Sequence, residues 1–205
     1  MAIATLLSTA SMFVGAVSLT IPSPVLHGRA MMPAQVRVYD AFGLHADDRN
    51  RALEAASELL GTVFVAVTWR HCPAEGQEFC QSELAPGERV VRILNSSGSP
   101  MSWEDKPLGS AVVDVEAAAS VLATAYLNRT ATQASRCGVD PHLLLGRVVA
   151  HELRHVLSAE PGHSAVGLMR ELWTCEELRA NRPEDWSFLA SDRSAIRKSF
   201  VRDTR

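Results

Sequence analysis

Residues 140–173 read DPHLLLGRVVAHELRHVLSAEPGHSAVGLMRELW, and the fold is decided inside them. Asp140 is a good N-cap, and Pro141 suits the first helical position, where a missing N–H costs nothing. A helix is therefore expected from that point. Leu144 and Val148 continue upstream the face that carries His151 and His155, while Leu143, Val149, Ala150 and Leu153 spread apolar surface to the other sides. A helix apolar nearly all round is a buried one. Within it, His151-Glu152-Leu153-Arg154-His155 is the HExxH pattern. Residues four apart stand one above the other on a helix, so both imidazoles can reach one ion at about 2.0–2.1 Å, the usual zinc–nitrogen distance. Glu152, directly after the first histidine, is placed to act as base toward a water at that ion.

Two ligands are too few, because a catalytic zinc normally has three from the protein. After the helix, Ser158-Ala159-Glu160-Pro161-Gly162 has the chemistry of a helix stop and chain reversal. His163 lies just beyond that bend and can return to the metal; Met169 follows six residues later. Glu171, Glu176 and Glu177 are the competing acidic candidates for the third position. The ordinary reading of those glutamates is a solvated helix face, and of Met169 alone, core filler.

HExxH, a bend, a third histidine and then a methionine resembles the metzincin arrangement of zinc peptidases. The likeness is closer to a group of predicted bacterial metzincin-like peptidases with the signature HELGH…HSxxG[IL]MR…W; this chain reads HELRH…HSAVGLMR…W. It extends to a Cys-Pro…Cys-Gln element, here Cys72-Pro73 and Cys80-Gln81, and covers the chain from about Val36 to Trp173. The resemblance implies an α+β, zincin-like fold: a twisted mixed β-sheet, the active-site helix beneath it, and a short C-terminal helical half. It implies Zn²⁺ held by His151, His155 and His163, Glu152 as general base, and Met169 as an apolar floor that does not ligate. The reaction it implies is hydrolysis of a peptide or protein substrate. In that family the edge strand nearest the cleft pairs with extended substrate, which by analogy points to Gly109-Ser110-Ala111-Val112. There are departures from the pattern. His163 follows His151 by twelve residues, a longer interval than the common metzincin one, and Arg154 and Ala159 stand where the resembling sequences have glycine. A cation beside the metal opposes binding unless it points to solvent or pairs with an acid. That motivates the alternative: a non-catalytic secreted domain of the same fold that binds a protein partner or a metal.

A chain of 205 residues that is 47% hydrophobic supports one domain with its own core, expected over residues 31–205. A net charge of −3 sets nucleic acid aside as the main partner. The first 26 residues carry no charged side chain, so residues 1–30 read as a signal peptide or N-terminal anchor; the competing reading is a buried helix. Export makes the protein secreted or periplasmic, with any membrane contact made through that segment. Four cysteines fit an oxidising compartment. The local pairing of Cys72 with Cys80 and Cys137 with Cys175 is one of three connectivities, and the absence of CxxC spacing argues against a cysteine metal site.

The remaining elements follow from periodicity. Residues 31–35 read as a linker and Val36 to Asp40 as a first strand. Asp47 or Asp48 caps a helix ending at Leu60 and Gly61. Thr62 to Trp69 reads as a buried second strand, Glu88 to Leu94 as a third and Leu108 to Val115 as a fourth. An Ala-rich helix is expected from Glu116 to Asn128. Beyond Met169, Glu171 to Asn181 reads as a helix broken by Arg182-Pro183, followed by a solvated basic tail in which Trp186, Phe188 and Phe200 are packing anchors.

Overall fold

The first strand, β1 (Met32–Asp40), takes the centre of one half of a five-stranded sheet whose order is β2-β1-β3-β5-β4. The computed structural model describes residues 30–73, 78–96 and 107–203; the apolar segment expected as a signal or anchor lies outside them. Among the described residues no helix is long and apolar enough to cross a membrane. Strands β1, β2 (Val65–Cys72), β3 (Arg89–Leu94) and β5 (Ala119–Tyr126) run parallel, and β4 (Gly109–Asp114) closes one edge antiparallel to β5. The sheet is mixed, as expected.

Ala34, Val36 and Val38 of β1 face the core. The opposite face carries Arg37, buried and held by a two-pronged ion pair to Glu88 (Nε–Oε1 2.8 Å, Nη2–Oε2 2.7 Å) and by the carbonyls of Ser82 and Glu83. The strand begins earlier than the expected linker allowed, because Met32 to Gln35 pair in register with Val65 to Thr68.

Helix α1 (Ala46–Gly61) starts with His45 at the N-cap; Asp47 and Asp48 occupy its first turn instead of capping it, where a negative charge still favours the helix dipole. Residues 62–64 continue as a turn, with Phe64 at φ 64°, which delays β2 to Val65. That strand is an edge and mostly half-exposed, so the expectation of a buried strand fails: a run of β-branched residues does not say where in a sheet it sits. A short helix α2 (Glu78–Gln81) follows, tied to β2 by the Cys72–Cys80 disulfide.

The expected Ala-rich helix is the largest correction. Asp114 accepts from the backbone of Ala117 and turns the chain, Ala118 takes φ 48°, and residues 119–126 form β5. Alanine favours helix in isolation, but Ala123 and Ala125 are fully buried where α4 packs on β5. Small side chains let helix and sheet approach, and that packing outweighs a propensity worth less than about 1 kcal/mol per residue. The helix comes later, as α3 (Leu127–Cys137).

Helix α4 (Pro141–Ser158) begins as its sequence dictates, with Asp140 accepting from the backbone of His142 (2.8 Å) and Leu143 (3.1 Å). Every residue from Leu144 to Ser158 is buried, because α1, α3, α6, β4 and β5 all pack on it. Gly146 permits the closest crossing: a Cβ there would stand 2.5 Å from the Ala52 carbonyl and 2.7 Å from the Ala55 side chain on α1. Beyond it, α5 (Cys175–Ala180) is shorter than the expected helix from Glu171, because Thr174 and Glu177 form a capping box that starts it later. The expected solvated tail is instead helix α6 (Ala190–Asp203), which buries Ala195 and Ile196 and packs on α4. Its apolar face is too sparse to stand out among the basic residues.

Candidate metal centre

Helix α4 aims His151 and His155 into a cleft of about 800 Å³ bordered by β4, α3 and the segment 170–175. The bend after α4 begins at Ala159, in the left-handed conformation (φ 56°), and brings His163 back to the same point. The three Nε2 atoms converge, with His151 standing 3.3 Å from His155 and 3.2 Å from His163. Nitrogens placed tetrahedrally at about 2.0–2.1 Å from one centre lie about 3.3 Å apart. The spacing fits a single shared metal ion.

The tautomers make the same point. His151 Nδ1 donates to the Leu168 carbonyl (2.9 Å) and His155 Nδ1 to the Glu160 carbonyl (2.7 Å). A carbonyl only accepts, so each Nδ1 carries the proton and each Nε2 presents a lone pair. Burial drives the pKa of His151 down to about 3 and that of His155 to about 4, so neither ring is charged at neutral pH. Two bare lone pairs facing each other at 3.3 Å repel unless a cation lies between them. The donor set therefore fits a metal ion of the kind imidazole suits, such as zinc, copper, iron or nickel. None of the acidic alternatives joins the cluster among the described residues. Glu177 closes the α5 capping box and pairs with Arg170, while Glu171 lines the cleft away from the three rings.

Glu152 lies beside the histidines on the cleft floor, 7% exposed, and burial raises its pKa to about 8. Gly109, the first residue of β4, packs directly on it: a Cβ there would meet Glu152 Cγ and Oε1 at 2.6 Å. Met169 is buried, and the turn that holds it is closed by a hydrogen bond from the Ser164 N–H to the Met169 carbonyl (2.9 Å). What this turn offers the metal centre is the neighbouring Leu168 carbonyl, which sequence reasoning did not find. Trp173 was also unassigned; its ring meets His151 edge-on at 5.7 Å and forms part of the cleft wall. The concern over Arg154 is answered by an acid: its Nε donates to Asp192 Oδ1 at 2.9 Å, in a setting where both are buried. Both local disulfides are present, and the Cys137–Cys175 bridge joins α3 to α5 at the cleft rim.

No protein-family model matches the chain, and no curated protein is significantly similar to it. Among solved structures it is similar to the crystal structure of archaemetzincin from Methanopyrus kandleri, with a TM-score of 0.50 and 18% identity. The match covers 86% of this chain and 99% of that one. At this identity the likeness is one of fold, a mixed sheet with helices.

Proposed function

We propose that the chain is a zinc-dependent peptidase in which His151, His155 and His163 hold the metal and Glu152 is the general base. The observation that carries this reading is the convergence of three imidazole nitrogens beside a buried carboxyl on the floor of an open cleft. Bound zinc supplies Lewis acidity, polarising a substrate carbonyl and making a water nucleophilic near neutral pH. Glu152 takes the proton from the attacking water and delivers it to the leaving amine. Its protonated state without metal fits this role, since a nearby cation favours the carboxylate and the amine needs the proton back.

The cleft edge supports a peptide as substrate. Among the described residues strand β4 is the last strand of the sheet and borders the cluster, an edge on which an extended peptide could pair. An exported setting agrees with two disulfides in a small domain. The non-catalytic alternative is motivated by Arg154 and by the longer ligand interval; the pairing of Arg154 with Asp192 and the place of His163 in the cluster both weigh toward the catalytic reading.

The test is Glu152→Gln, assayed on a quenched-fluorescent peptide library alongside a zinc determination. Hydrolysis should fall by about 10²–10⁴-fold, the usual contribution of a general base, with one zinc per chain retained. Undiminished hydrolysis would remove Glu152 from the mechanism.

A further inference from the structure

We propose that Arg154, braced by Asp192 of α6, is the positioning residue that sets His163 in place. The inference rests on the reading of His151, His155 and His163 as metal ligands.

Arg154 sits inside the HExxH helix, 6% exposed, and its guanidinium is spent in three directions. Nε donates to Asp192 Oδ1 at 2.9 Å; Nη1 donates to the carbonyls of Glu160 (3.3 Å) and Gly162 (3.4 Å); Nη2 donates to Glu160 Oε2 (3.3 Å). The two carbonyls belong to the bend itself, and Gly162 immediately precedes His163. The Glu160 carbonyl is also the acceptor for His155 Nδ1. One peptide oxygen therefore joins the orientation of the second ligand to the arginine that shapes the path to the third. Asp192 is fixed in turn, since its other oxygen accepts from the Leu189 backbone at 2.8 Å at the start of α6.

His163 needs such support. It is exposed, unlike His151 and His155, so no surrounding core holds its ring. Its place is set by the backbone on either side: the Ser164 N–H to Met169 carbonyl bond downstream, and the Arg154 fork upstream. A lysine at 154 would keep the charge but carry its three donors on one flexible nitrogen, in place of the planar fork whose three nitrogens reach Asp192, the two carbonyls and the Glu160 carboxylate. The C-terminal helix thus takes part in the metal centre through Asp192.

The experiment compares the full chain with Arg154→Lys, Asp192→Asn, His163→Ala and the double variant Arg154→Lys/His163→Ala. The readouts are the zinc dissociation constant and the visible spectrum of the Co²⁺-loaded protein, which reports coordination number. Removing a partner that orients a ligand typically weakens metal binding about 10–100-fold. Arg154→Lys and Asp192→Asn should each fall in that range, with cobalt spectra displaced toward that of His163→Ala. The double variant should lose clearly less affinity than the sum of the two single losses, because the arginine acts mainly through that histidine; what it loses beyond His163→Ala reflects the hold on the Glu160 carbonyl that orients His155. Should Arg154→Lys fail to fold, Asp192→Asn carries the test. Folded variants with wild-type zinc affinity and cobalt spectrum, or losses that add in the double variant, would overturn the inference and leave the metal centre standing. Failure of the wild-type chain to bind zinc would overturn both.

Discussion

Gly109 shows how closely the site is built. A Cβ at this position would lie 2.6 Å from the Glu152 side chain and 2.8 Å from the Thr124 carbonyl. The side chain can rotate away, whereas the backbone of β5 cannot. Gly109→Ala should therefore displace Glu152 and cost about 1–3 kcal/mol of stability through overpacking. Hydrolysis should fall at least tenfold, the factor that a loss of about 1.4 kcal/mol in transition-state stabilisation produces. Zinc affinity should be unchanged, because the three histidines lie off β4; full activity in the alanine variant would show that Glu152 is not seated against this strand. The same glutamate predicts a pH dependence in the metal-free protein. Unfolded, it loses its proton near 4.5; folded, burial delays that loss to about 8. The folded state binds more protons across this window, so the carboxyl costs stability as pH rises from 4.5 toward 8. Glu152→Gln removes that cost. The melting temperature of the metal-free variant should rise relative to wild type across the window, each unit of pKa shift being worth about 1.4 kcal/mol. Parallel melting curves at pH 5 and pH 8 would contradict a buried, protonated Glu152.

Among the elements, α4 was the most legible. Its N-cap, its proline and its apolar periodicity are local properties of residues 140–158, and an i, i+4 histidine pair on a helix has a single geometric meaning. The strands were read mainly by type, their ends and depth poorly, because Val65–Cys72 looks alike as an edge or a centre. Residues 119–126 were misread because alanine is ambiguous: it favours helix alone, and here it fits the close contact of β5 with α4. Within the site, the legible groups were those whose chemistry is their side chain. The groups that orient them were hidden for two reasons. The Leu168 and Glu160 carbonyls carry no residue-type signal, since any residue offers one. The Arg154–Asp192 pair joins residues 38 apart, and Asp192 was assigned to a tail. Arginine in place of glycine looked like damage to the motif; without the acid opposite, that inference was sound.

At the scale of the whole molecule, the Cys137–Cys175 bridge closes a loop that contains α4, the bend and all three clustered histidines. Its sequence separation is 38, against 8 for Cys72–Cys80. By chain entropy the longer loop contributes about 4 kcal/mol and the shorter about 2.5 kcal/mol. Replacing both Cys137 and Cys175 with serine should thus cost more stability than the equivalent change at Cys72 and Cys80, as read from chemical denaturation of the metal-free proteins. The effect on the metal is a separate question, since Cys175 also lines the cleft two residues from Trp173, whose ring abuts His151. His151 and His155 are held by α4 and by backbone carbonyls, and His163 by the bend; none of these hydrogen bonds involves the bridge. The bridge then acts on the unfolded chain, and the folded Cys137→Ser/Cys175→Ser protein should bind zinc with wild-type affinity. Saturating zinc should also stabilise it by the same increment as wild type, because that increment depends only on the free zinc concentration and the dissociation constant. A zinc affinity tenfold weaker, equivalent to about 1.4 kcal/mol, would mean that the bridge shapes the metal centre itself through the cleft wall at Trp173.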